Sequence, residues 1–136
     1  MIDIENDVFA AVATALRAEF TDPLISVYGE YVNAPANFPS VSIEEKDNSV
    51  LERTADSSNI ENHATLMYEI NAYSNKQSGK KIECKQIMAT INDVMAGLGF
   101  TRTTMLSIPN IADATIYRMT ARYMGIVSKN NTIYRR

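Results

Sequence analysis

The chain has one cysteine, one histidine and no tryptophan in 136 residues. Cys84 alone closes no disulfide within the chain and builds no cysteine zinc cage, so packing must hold the fold. A Ser-His-Asp or Cys-His arrangement would have to use His63, because no other imidazole is present. His63 sits beside Asn62 at the end of a polar stretch, and Cys84 falls on the apolar stripe of a helix. Both read as structural residues. Excess positive charge is missing too. Thirteen Lys and Arg against sixteen Asp and Glu leave a net charge of −3 and a pI near 5.1, so no basic surplus advertises nucleic acid or anionic lipid. No apolar run approaches the roughly 20 residues that span a bilayer. The acidic start lacks the basic region and apolar run of a signal peptide. The expectation is a protein made and used in the cytoplasm, or inside an assembly built there.

Metal and phosphate chemistry find little footing. Glu44, Glu45 and Asp47 are the densest acidic patch, but strand alternation sends Glu44 and Glu45 to opposite faces. No acid spacing fits a calcium loop. Gly97-Leu98-Gly99 follows a helix, where phosphate loops precede one. No metal, cofactor or catalytic residue is expected.

What is present is a regular alternation of patterns. The apolar content of 46% and charged content of 21% suit a globular domain, and 136 residues suit one domain with a real core. Val8, Phe9, Val12, Ala13, Leu16 and Phe20 recur on the helical period and predict a helix over residues 5–20, capped by Asp3 or Asn6 and ended by Asp22-Pro23. Strands are predicted over 24–31 and 38–45, separated by a Pro/Asn loop at 33–37. Residues 46–63 form a polar insert of a length that is usually functional or disordered. A strand over 64–73 places Leu66, Tyr68, Ile70 and Ala72 on one side. A second helix over 80–98 carries Cys84, Ile87, Met88, Ile91, Val94, Met95 and Leu98, with Gly97 and Gly99 as its stop. Strands over 100–108 and 115–127 follow, then a polar tail at 128–136. The order α-β-β-β-α-β-β implies an α+β fold. Its sheet should be mainly antiparallel, of about five strands, with hairpins between neighbours and two amphipathic helices on one face.

Arg118 and Arg122 share a face of the last strand, and Arg102 is expected to join them from the strand before. A solvated, ion-paired face is the plainer reading of these cations than a nucleic-acid surface, since aromatic residues do not interleave with them.

Six stretches taken in order carry a resemblance: residues 31–39 (YVNAPANFP), 61–64 (ENHA), 68–76 (YEINAYSNK), 99–103 (GFTRT), 114–119 (ATIYRM) and 132–136 (TIYRR). The chain from about residue 28 onward resembles the neck and tail-terminator proteins of tailed bacteriophages, also labelled tail-completion or minor structural proteins. None of these stretches is a chemical signature. The weight lies in their order and spacing. The resemblance implies an α+β subunit that closes into a homo-oligomeric ring, commonly a hexamer. The ring would cap the head-proximal end of the tail tube, stop its polymerisation and meet the head connector in the virion neck, with genomic DNA passing through the lumen and no membrane involved. The sibling role is a head-completion or connector adaptor; the different-class alternative is a small enzyme or nucleic-acid-binding module. A ring needs two different patches that meet head to tail. The expected contacts with neighbours or tail tube are Val50, Leu51, Glu52 and Arg53 from the insert, Arg102, Arg118 and Arg122 from the sheet, and Tyr134, Arg135 and Arg136 from the tail.

Overall fold

A computed structural model describes residues 1–21, 23–30, 35–50, 63–109, 115–128 and 133–134, the side chain of Tyr134 excepted. Helix α1 runs Glu5–Glu19 and buries Val8, Val12, Ala13 and Leu16, the stripe that the periodicity predicts. Asp3 Oδ1 accepts the Glu5 N–H at 3.0 Å, satisfying one of the amides a helix start leaves open. Helix α2 runs Lys80–Leu98 and buries Cys84, Ile87, Met88, Ile91 and Met95. Gly99 ends it in the left-handed region at φ 104°. Its N–H and that of Phe100 donate back to Ala96 and Met95 at 3.0 and 2.9 Å, closing the helix as a glycine cap does.

The strands are β1 (Ser26–Tyr28), β2 (Ser40–Val50), β3 (His63–Ser74), β4 (Thr101–Ser107), β5 (Tyr117–Ser128) and β6 (Ile133–Tyr134). They form one mixed sheet in the order β1-β2-β3-β5-β4, with the two-residue β6 also on β5. The fold is α+β as expected, and most pairings are antiparallel. Two pairings depart from simple hairpins. β1 runs parallel to β2, with Ser26 opposite Ser40. β5, not β4, lies next to β3. Helix α2 therefore carries the chain from β3 past the place of β5 to β4, which is parallel to β3 at one strand's remove.

Both helices cover one face of the sheet. Leu66, Tyr68, Ile70 and Ala72 of β3 and Met119, Ala121, Tyr123 and Val127 of β5 meet the helix stripes in a single core, together with Val41 and Ile43 of β2. Phe100 stands edge-on to Tyr68 with ring centres 5.4 Å apart. Gly125 leaves the space for that ring: a Cβ there would lie 2.7 Å from Phe100 Cδ1.

Two boundaries need correction. The polar insert does not begin at residue 46, because Lys46 to Val50 continue β2 against β3 past a bulge between Glu45 and Asp47. Asn48 is held there by donating from Nδ2 to Ile2 O at 2.8 Å. Nor is the tail wholly a polar extension. Ile133 and Tyr134 pair with Val127 and Ile126, filling a ladder on β5 beyond the last residue that β4 reaches, Met124. Ile133 packs on the core, so burial of one apolar side chain anchors this short strand.

Candidate subunit interface

Neither helix packs on the second face of the sheet. Strand register assembles it from Ser40, Ser42 and Glu44 of β2, Thr65, Met67, Glu69, Asn71 and Tyr73 of β3, and Arg118, Thr120, Arg122, Met124 and Ile126 of β5. Its centre is a buried polar network. Asn71, wholly buried, accepts at Oδ1 from Thr120 Oγ1 at 2.6 Å and Arg118 Nε at 3.0 Å. It donates from Nδ2 to Ser42 Oγ at 3.2 Å. Arg118 can only donate, which fixes the amide orientation.

One step along the strands, Glu69 Oε1 accepts Arg122 Nε and Nη2 at 3.2 and 3.1 Å. Lys46 Nζ lies 3.3 Å from Glu44 and 3.8 Å from Glu69. Glu44 and Glu69 are thus paired with Lys46 and Arg122. Beyond them the face turns apolar, with Met67 opposite Met124 and Ile126 opposite Thr65, all half-buried. Ser40 Oγ and Glu44 Oε1 are buried without a hydrogen-bond partner among the described residues, a costly arrangement in a closed molecule.

The face ends at β4, whose described neighbour is β5 alone. Among the described residues no strand pairs with its outer edge, and Leu106 beside it is 47% exposed. An open edge of this kind invites another strand.

The expected contact residues do not gather in one place. Arg118 and Arg122 share the polar face as predicted. Arg102 does not join them: it stands opposite Tyr123, on the helix side, where its Nη1 donates to Asn92 Oδ1 at 3.4 Å. The bulge between Arg102 and Thr104 sets Thr104 opposite Arg122 instead. Val50 ends β2 and is 49% exposed. Tyr134 pairs by its backbone with Ile126. Leu51, Glu52, Arg53, Arg135 and Arg136 lie outside the described residues. Asn71, Ser42, Thr120 and Glu69 were missed as a network. Alternation alone puts each on a polar face, but only the β3–β5 pairing brings them together.

The chemistry-bearing side chains stay apart. Cys84 is buried on the helix side, its thiol 3.6 Å from Ala72 O and 3.8 Å from Tyr117 O. Burial, then the nearby Glu83 charge, pushes it up to about 12, so it is a thiol at neutral pH. His63 opens β3 on the other face, opposite Ser128. Tyr68 donates to Glu45 Oε1 at 3.0 Å. Burial raises the Glu45 carboxyl, with Glu5 and Asp3 adding to it and the Tyr68 bond opposing. Burial likewise pushes the Tyr68 hydroxyl far up, reinforced by the Glu45 charge. Among the described residues no three His, Cys, Asp or Glu converge as a metal site would require, and no helix is long and apolar enough to cross a membrane. The sequence matches no known protein-family model and no curated protein.

Proposed function

We propose that the chain is a structural subunit of a tailed-phage neck, closing with copies of itself into a ring that caps the tail tube and joins it to the head connector. The observation that carries this reading is the second sheet face. It is a strand surface without a helix layer, with a buried polar network at its centre, Glu44 and Glu69 paired with Lys46 and Arg122, and Met67, Met124 and Ile126 beyond them, and it runs out at β4, whose outer edge meets no other strand among the described residues. A surface of that make-up suits contact with another protein. It suits phosphate poorly, because Arg122 is paired with Glu69 and Lys46 with Glu44, and counterion release needs cations that are free to meet phosphates. The sequence resemblance supplies the particular assembly, and the element order is compatible with it.

Electron microscopy of the purified chain, alone and mixed with tail tubes, tests the proposal together with mass by light scattering. Annular particles of several copies, seated at one end of tubes, are expected. A chain that stays monomeric at high concentration and leaves tube ends bare would sink it. DNA binding that weakens with salt and vanishes in Arg118→Ala/Arg122→Ala would favour a nucleic-acid-binding module instead.

A further inference from the structure

The two edges of the sheet differ in chemistry. At the β1 edge a cleft of about 440 Å³ opens between α1 and the strands. Phe9, Tyr28 and Ile43 form its apolar lining, and Glu5, Asn6 and Glu30 its polar part. Neither carboxylate has an ion-pair partner among the described residues. Asp3 and Glu5 also act on Glu45 close by, so this quarter of the molecule is negative. The positive end of α1 is offset by Asp3, Glu5 and Asp7. Aromatic rings beside unpaired carboxylates make a receptor for a guanidinium or ammonium group, through charge and through the ring faces. At the opposite edge β6 leads straight into Arg135-Arg136, the last residues of the sequence.

We infer that the cleft of one copy takes Arg135-Arg136 from the next. This rests on the ring reading. A chain cannot fill its own cleft with this segment. β1 and β6 are separated by four strand spacings, about 19 Å, and are offset along β5 by the run from Thr120 to Ile126, about 20 Å more. Two residues reach about 7 Å beyond Tyr134. In a head-to-tail ring the β4/β6 edge of one copy faces the β1 side of its neighbour, so a basic segment meets an acidic cleft at each joint. Opposite charge on the two edges also disfavours the isologous pairing that would stop at a dimer.

Two measurements test it. In the first, assembly is followed by mass against concentration. Glu5→Gln/Glu30→Gln and Arg135→Ala/Arg136→Ala should each raise the concentration needed for rings about tenfold or more. The exchanged chain, Glu5→Lys/Glu30→Lys with Arg135→Glu/Arg136→Glu, should restore it. In the second, a peptide of residues 128–136 is titrated by NMR into the Arg135→Ala/Arg136→Ala chain. Binding should shift signals of Phe9 and Tyr28, weaken as salt rises, and fail in the added Glu5→Gln/Glu30→Gln background. Rings that form while the peptide does not bind overturn the inference and leave the ring reading standing. Peptide binding in a chain that never assembles overturns the ring reading alone. Equal binding of a scrambled peptide of the same charge overturns the choice of this segment as the occupant.

Discussion

Replacing Asn71 by alanine removes the centre of the network on the second sheet face. Asn71 is fully buried and makes three side-chain hydrogen bonds, to Thr120, Arg118 and Ser42. Each such bond is worth about 1 kcal/mol net, and a buried group left without a partner costs about 1–3 kcal/mol. The three former partners differ in their escape. Arg118 is half-buried and can turn to water, whereas Thr120 and Ser42 are 2% and 0% exposed. Their hydroxyls have little else to meet. The expected loss is about 2–4 kcal/mol, a large part of the 5–15 kcal/mol that holds a typical domain. Guanidinium melts followed by far-UV circular dichroism measure it, since the chain has no tryptophan to report. Thr120→Val keeps the shape and deletes the 2.6 Å donor. A double-mutant cycle of the two should return a coupling of about 1 kcal/mol. A loss below about 0.5 kcal/mol for Asn71→Ala, or no coupling, would place Asn71 in water and refute the network.

Gly125→Ala puts a methyl group into the Phe100 ring and should cost about 1–3 kcal/mol by overpacking; the cost should shrink in a Phe100→Leu background, and a cost unchanged there would mean the ring is elsewhere. Ile91→Ala, fully buried on α2, should cost about 2–5 kcal/mol in the same melts, and a near-neutral result would displace α2 from the sheet. Glu45 has a raised carboxyl, because burial and its acidic neighbours disfavour its charge. The folded chain therefore holds this proton to higher pH than the unfolded chain, and stability falls as pH rises from 4.5 through the raised value. Glu45→Gln should be more stable than the parent chain at pH 7, with the gain disappearing below pH 4.5. A gain that is the same at both ends of this range would show that the Glu45 charge is not the cause.

Much of the architecture follows from burial patterns confined to single elements. A helix can hide Val8, Val12 and Leu16, or Cys84, Ile87 and Ile91, only on one face. A strand can hide Leu66, Tyr68 and Ile70 only on one side. The sequence by itself therefore determined both helices, β3 and β5, the first half of β2, and which side of these meets the core. Gly99 likewise carried its helix stop locally. What the sequence did not determine is which strand lies beside which. Hairpins between sequence neighbours are the default, yet β5 enters between β3 and β4, and β1 lies parallel to β2. Those choices rest on contacts between residues distant in sequence, and they bring Arg122 to Glu69 and Arg118 to Asn71. They also turn Arg102 toward Asn92. Alternation assigns a side chain to a face, but only the assembled sheet decides its neighbours, because hydrogen bonding and charge pairing act over a few ångströms and take no account of separation along the chain.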